Sequence, residues 1–338
     1  MRIEKKAQIL IRALAPVLFS IILFSTSCIN EKTDPCPSYL KIVYDYNMAF
    51  VDQFHVQVNF LSIFMFDAET GLFIREAKVT QSPFPEGYRV EIPTEWYGPR
   101  YDIVVWAGLD PDSYEYPTLT PGTSTITDFQ LKVKGYENYM IEREGALEPL
   151  WHGKLLGVTF ETEKEYRLSL MKDTKKFRLV IQTLDEFDSL TKEDLDIILM
   201  SSGGWYDNDN NVLDPKGRGL IYFPYYMIDD PDTGVAIEIN SMRLMNEDDR
   251  IHRLIINDAK EGYQILNIPL MKYLNALRLL EFSHIPFQEY LDREDTYNIL
   301  IFLRKEDDGG EKPQPPRGNW VSVKIMINDW VIRFQDIN

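Results

Sequence analysis

Cysteine is nearly absent: the 338 residues hold only Cys28 and Cys36, which excludes a disulfide scaffold and any multi-cysteine zinc site and leaves stability to packing. Basic charge is also short. Lys and Arg total 36 against 53 Asp and Glu, a net charge of −17, and such a field repels phosphate backbones, so no nucleic-acid partner is expected. Histidine is scarce as well. His55, His152, His252 and His284 show no HExxH or His-x-His spacing, so two imidazoles are not offered to one metal, and neither a metal nor a cofactor is expected. The chain has no GxSxG elbow, no P-loop and no GxGxxG, the parts that strained-serine, nucleotide-phosphate and dinucleotide chemistry need locally. What is abundant is packing material: 44% hydrophobic and 13% aromatic residues describe a globular chain, and its length allows roughly two domains at about 150 residues each.

The N-terminus reads as an address. Arg2, Lys5, Lys6 and Arg12 precede an apolar run from Ala13 to Phe24, followed by Ser25, Thr26, Ser27 and Cys28, the layout of a signal peptide. That run is too short for a spanning helix, which needs about 20 apolar residues. A Cys directly after small residues resembles the bacterial lipobox, although Ser25 stands where that pattern most often has Leu. The resemblance implies a diacylglyceryl group on Cys28, which becomes the mature N-terminus; an ordinary secretory signal is the alternative. Residues 1–27 carry the four basic side chains and one acidic one, Glu4, so their removal makes the chain still more acidic. Membrane attachment then rests on acyl chains, since no basic patch is available for docking on anionic lipid. Residues 28–37 form a polar tether in which Cys36 is read as unreactive.

Beyond the tether the pattern has period two. Leu40, Ile42, Tyr44 and Tyr46 fall on one face of a strand, and Val56–Phe66 runs into DAETG, whose Gly71 suits a hairpin turn before Leu72–Val79. Short runs of this kind continue to Phe334, separated by segments rich in Pro, Gly and Asp, and the spacing predicts an all-β sandwich architecture. One helix is predicted over Leu270–Phe282, where Leu270, Leu274 and Leu277 share a face and Pro269 stands at its start. The charged stretch ETEKEYRLSLMKDTKK, Glu161–Lys176, marks the division between residues 38–170 and 171–338.

Candidate chemistry is sparse. Asp229 with Asp230, and Asp292 with Asp295, are acidic pairs, but glycosidase carboxylates must face each other across a cleft, and solvated loops are the plainer reading. Asp207, Asp209 and Asn211 place oxygen ligands at alternate positions as a calcium loop does. Val212 and Arg218 then stand where Gly and Glu are needed, so a hairpin connection is expected instead. Trp96, Trp151 and Trp205 could stack on sugar rings, or could be core residues at strand ends.

Seven segments together resemble the FimB/Mfa-type fimbrial anchor subunits of Bacteroidetes. They are STSC ending at Cys28, CPSYLKIVYDYN from Cys36, FHVQVNFLSIFMFD from Phe54, LWHGK from Leu150, NIPLMKYLNALR from Asn267, QEYLDREDTYNILIFL from Gln288, and VKIMINDWVIRF from Val323. The resemblance implies two transthyretin-like Greek-key β-sandwich domains, no catalysis and no small-molecule substrate. It also implies an outer-membrane, cell-surface lipoprotein at the base of a fimbrium, whose partner is a fimbrillin shaft subunit joined by strand complementation. Because the chain ends eight residues past Trp330, without a long donor tail, it is expected to cap growth and limit fimbrial length. His152, Gly153 and Tyr290–Asp295 are expected to fix turns and strand ends. A glycan-binding surface lipoprotein of a polysaccharide-uptake system is the alternative.

Overall fold

The computed structural model describes residues 37–184, 190–215, 217–231, 234–246, 251–305, 320–328 and 330–332. The lipobox-like segment with Cys28, and Cys36 in the tether, lie outside the described residues.

The first ten strands are β1 Ser38–Tyr46, β2 Leu61–Asp67, β3 Phe73–Val79, β4 Arg89–Ile92, β5 Arg100–Ala107, β6 Tyr114–Glu115, β7 Leu131–Val133, β8 Met140–Ile141, β9 Trp151–Thr159 and β10 Glu165–Lys172. Seven of them form one sheet in the order β3-β2-β5-β9-β10-β1-β4, with β1 parallel to β10. In β1 the alternation read from the sequence is the alternation of burial: Leu40, Ile42 and Tyr44 point into a core. The β2–β3 hairpin closes at DAETG, where the Asp67 carboxylate accepts from the backbone N–H groups of Glu69 at 3.0 Å and Thr70 at 2.7 Å and Gly71 takes a φ of +71°. β2 reads as a continuous apolar run because both of its faces are covered. Ile63 and Met65 join a core with Leu40, Ile42, Ile103 and Leu168, while Phe64 and Phe66 face the opposite way into a larger cluster.

The remaining strands are β11 Lys175–Thr183, β12 Leu195–Ser201, β13 Trp205–Tyr206, β14 Leu220–Tyr222, β15 Tyr226–Asp230, β16 Gly234–Ser241, β17 Arg253–Asp258, β18 Gln264–Pro269, β19 Thr296–Lys305, β20 Trp320–Ile327 and β21 Trp330–Ile332. A six-stranded sheet, β15-β16-β11-β19-β20-β21, and a five-stranded one, β18-β17-β12-β14-β8, turn alternate residues into one hydrophobic cluster, with Phe177, Leu179 and Ile181 from the first and Ile197, Leu199 and Leu254 from the second. The fold is mostly β, in several sheets, as the sequence predicts.

Two short strands cross the division between residues 170 and 171, which itself falls inside β10. β8 pairs with β14, and β7 pairs with both β6 and β13. Leu131, Val133, Ile141 and Leu147 therefore share the hydrophobic cluster of Phe177 and Leu179. From Ser38 onward the chain forms one compact unit.

The helices are α1 Phe54–Gln57, α2 Leu270–Glu281 and α3 Phe287–Arg293. α2 is the predicted one, and it buries Leu270, Met271, Tyr273, Leu274 and Leu277, the i, i+3, i+4, i+7 stripe. α3 corrects the turn and strand-end reading for Tyr290–Arg293, which are helical and bury Tyr290, Leu291 and Asp292, while Glu294 and Asp295 do lead into the start of β19. Seven residues make only two turns, too few for a periodic signal to stand out. Among the described residues no helix is long and apolar enough to cross a membrane.

Candidate functional site

Three segments singled out in the sequence, LWHGK, the 207–211 loop and YLDRED, meet at one buried polar joint, built around the turn that leads from β10 to β11. The turn is Asp173–Thr174. The Asp173 N–H donates to the Leu150 carbonyl at 2.8 Å and the Thr174 hydroxyl accepts from the Leu150 N–H at 3.2 Å, which ties the turn to the start of β9. The turn lies near the end of the charged stretch read from the sequence as a boundary, yet Asp173 and Lys175 are fully buried.

α3 supplies the partners. The Lys175 ammonium donates to the Asp292 carbonyl at 2.9 Å and to the Glu294 carbonyl at 2.8 Å, capping the C-terminal end of the helix with a cation. Arg243 donates Nε and Nη2 to the two Asp292 oxygens at 2.7 and 2.8 Å. Such a two-pronged pair matches the planar guanidinium to the carboxylate. Burial works against the Arg243 charge, but the Asp292 bonds outweigh it and raise its pKa. Lys172 pairs with Asp295 at 2.8 Å. The acidic pair Asp292 and Asp295 is thus engaged with cations and does not face a cleft.

The 207–211 loop clasps the other side. The Asp207 carboxylate accepts from the N–H groups of Asp209 at 2.8 Å and Asn211 at 2.9 Å, the self-bonded turn that Asp favours, and Asn210 takes a φ of +62°. Tyr206 bridges to Val212 across the loop, so it is a hairpin connection, as expected. The Asp207 carboxylate is spent on the loop itself, and among the described residues no group of three His, Cys, Asp or Glu side chains could hold a metal ion. The Asn208 carbonyl accepts from His152 Nε2 at 3.0 Å, and Lys154 reaches Asn208 Oδ1 at 2.7 Å and the Asp209 carboxylate. Arg243 Nη1 donates to the Asn210 carbonyl at 2.9 Å. His152 is buried against the Trp106 ring, with centroids 4.6 Å apart. Burial pushes its pKa down to about 4, so it is a neutral hydrogen-bond donor and not a base in search of a proton.

Gly153 has a different role from the expected turn. It sits within β9 beside its antiparallel neighbour β10, and a Cβ there would lie 2.4 Å from Leu168 Cδ2 and 2.9 Å from the Ser169 carbonyl. Only glycine admits that approach.

The three tryptophans separate. Trp96 and Trp151 are 6% and 1% exposed, core residues with no face for a sugar ring. Trp205 is half-buried, with the Lys132 ammonium 4.7 Å above its ring and its Nε1 donating to Gln130 at 3.0 Å. Asp229 accepts from the Lys192 N–H at 2.7 Å. His252 lies buried between the Ser201 and Ser202 hydroxyls at 3.1 and 3.3 Å. The residues that sequence reasoning missed are Asp173, Lys175, Asn210 and Arg243. The available signal was a lone charge inside an apolar run, as Arg243 is in SMRLM. A cleft of about 370 Å³ opens beside the edge strand β3, with Phe64 and Phe73 on its floor and Tyr116 and Leu119 in its wall. Arg75, Glu76 and Lys78 also line it, so the cleft is of mixed polarity.

Comparison with known proteins places this architecture. The family of fimbrillin-A associated anchor proteins Mfa1 and Mfa2 matches residues 33–336. A solved structure from Bacteroides thetaiotaomicron, described as a candidate polysaccharide-binding protein, is 32% identical, with a TM-score of 0.73, and covers 89% of this chain and 99% of its own. A candidate adhesin from the same organism is 25% identical, with a TM-score of 0.71 and coverage of 89% and 99%. The fimbrial anchor protein Mfa2 from Porphyromonas gingivalis, 18% identical, shares the fold with a TM-score of 0.62 and coverage of 88% and 99%. Among curated proteins no sequence matches. Since the family match takes in the joint and every sheet, the chain belongs to the family of fimbrillin-A associated anchor proteins.

Proposed function

We propose that this protein is a non-catalytic fimbrial anchor, held in the outer membrane by an acylated Cys28 and joined to a fimbrillin shaft. The observation that carries the reading is the span of the family match, which begins at residue 33, immediately downstream of the lipobox-like STSC. Acyl chains hold the acidic chain at the membrane, each buried CH₂ contributing about 0.8 kcal/mol. A subunit fixed to the membrane on one side and to the shaft on the other admits no further subunit between them, so its incorporation sets fimbrial length.

The shaft joins by strand complementation. An added strand needs free backbone groups and pockets for alternate side chains; β3 is an edge strand whose Phe73 end is already bonded to Gly122 and Ser124, which leaves the stretch from Arg75 to Val79 as the edge and the cleft beside it as the pocket. Leu119→Lys places a charge in the cleft wall. The variant is expected to fold and to be lipidated, but to recover less shaft protein on co-purification from cells; recovery equal to wild type counts against this edge. The two halves of the chain are held together by the polar joint and by the pairing of β7 with β13 and β8 with β14. A glycan-binding role through Trp96, Trp151 and Trp205 is not favoured, since two of these are core residues and the third lies under Lys132.

The test of the tether is metabolic labelling with a tagged fatty acid. Wild type carries the label in the membrane fraction and Cys28→Ala does not; label on both, or on neither, excludes Cys28 as the attachment point.

A further inference from the structure

One hydrogen bond of the joint is half of a pair. Asn210 Nδ2 donates to Asp173 Oδ1 at 2.8 Å, and both side chains are buried, Asp173 at 0% and Asn210 at 3% exposure. The two remaining oxygens, Asp173 Oδ2 and Asn210 Oδ1, are buried and have no hydrogen-bond partner. A carboxylate facing a carboxamide can form only the N–H···O bond, because both free oxygens are acceptors. A carboxylic acid facing a carboxamide forms two, since its O–H donates to the amide oxygen.

The cations nearby do not fill the gap. Arg243 directs Nε and Nη2 to Asp292 and Nη1 to the Asn210 carbonyl, and the Lys175 ammonium donates to the Asp292 and Glu294 carbonyls. Asp292 adds negative charge, and the phenols of Tyr44, Tyr114 and Tyr206, on β1, β6 and β13, couple electrostatically to Asp173, those of Tyr114 and Tyr206 donating to the Glu148 and Gly203 carbonyls. An unpaired buried carboxylate costs several kcal/mol, whereas a neutral acid does not.

We propose that Asp173 is a protonated carboxylic acid in the folded chain, that its proton supplies the missing donor to Asn210 Oδ1, and that the joint weakens when that proton leaves. The Asp173 pKa agrees in direction: burial raises it to about 7 against the pull of Arg243, Asn210 and Lys175. An unfolded aspartate titrates near 3.9, so between about pH 4 and 7 the folded chain holds a proton that the unfolded chain has lost. The stability from this group is complete below that window, falls as pH rises through it, and is lost above it.

The test is thermal and denaturant unfolding of the full chain, wild type against Asp173→Asn, from about pH 5 to about pH 8. The carboxamide keeps the shape, accepts from Asn210 Nδ2 and donates to Asn210 Oδ1 at every pH, so it mimics the acid. The ratio of the variant's folding constant to that of wild type is expected to rise more than tenfold over this range, since one pKa unit corresponds to a factor of ten. Parallel pH profiles, or a variant weakened most at high pH, would show an ionised Asp173 held by Arg243 and Lys175 and overturn the proposal. A second measurement needs no variant. Infrared spectra of wild type with carbon-13-labelled aspartate should contain a buried protonated-carboxyl band at about pH 5 that fades across neutrality; its absence at about pH 5 equally overturns the proposal.

Discussion

Truncating Arg243 to alanine leaves Asp292 as a buried carboxylate without its two-pronged partner. Breaking such a pair from one side costs about 3–5 kcal/mol, and urea unfolding of Arg243→Ala should show a loss of that order, with fluorescence of the neighbouring aromatic core following the same transition. His152 sets a second pH dependence, opposite in sign to that of Asp173. Its folded pKa is lowered to about 4 by burial, against about 6.5 unfolded, so its contribution is complete above the unfolded value and falls as pH drops towards 4. His152→Gln is expected to be less stable at neutral pH, because its amide refills the imidazole volume poorly, but to lose less further stability on acidification; an unaltered acid slope would contradict a neutral buried His152. At Gly153 the added methyl of Gly153→Ala meets Leu168 and the Ser169 carbonyl, and such overpacking costs about 1–3 kcal/mol. Thermal unfolding measures it directly.

Among the elements, α2 offers the sharpest contrast between its faces. Leu274 is fully buried while Leu279 and Leu280 are 54% and 61% exposed, so Leu274→Ala should cost about 2–5 kcal/mol and Leu280→Gln less than about 0.5 kcal/mol in the same unfolding assay. Equal effects would contradict the packing described for this helix. The 12 residues of α2 show their stripe because three turns repeat it, and the strands are legible for the same reason: β11 and β16 alternate buried and half-exposed residues along their length. α3 was not legible. Its Tyr290, Leu291 and Asp292 are buried side by side, and a carboxylate among apolar neighbours reads as a loop until Arg243 is placed beside it. β7, β8 and β13, of two or three residues each, carry no periodic signal at all, although they bind the halves of the chain to each other.

At the scale of the whole molecule the joint was hidden by distance along the chain. His152, Asp173, Asn210, Arg243 and Asp292 come from five separate segments, and each alone is a polar side chain that a solvated loop would also carry. The stretch Glu161–Lys176 reads as a boundary by composition, yet its Asp173 and Lys175 are fully buried. The segments LWHGK and YLDRED were visible as motifs, and their meeting in one cluster gives a physical reason for their residue types: a neutral donor, a cation and paired carboxylates lock sheet to helix.

Electron microscopy of cells and culture medium, with Cys28→Ala replacing the native gene, tests the anchor account most directly. The account predicts fimbriae shed into the medium and longer than normal, because the shaft keeps its subunit contacts and loses its hold on the membrane. Fimbriae that stay on the cell at unchanged length would contradict it.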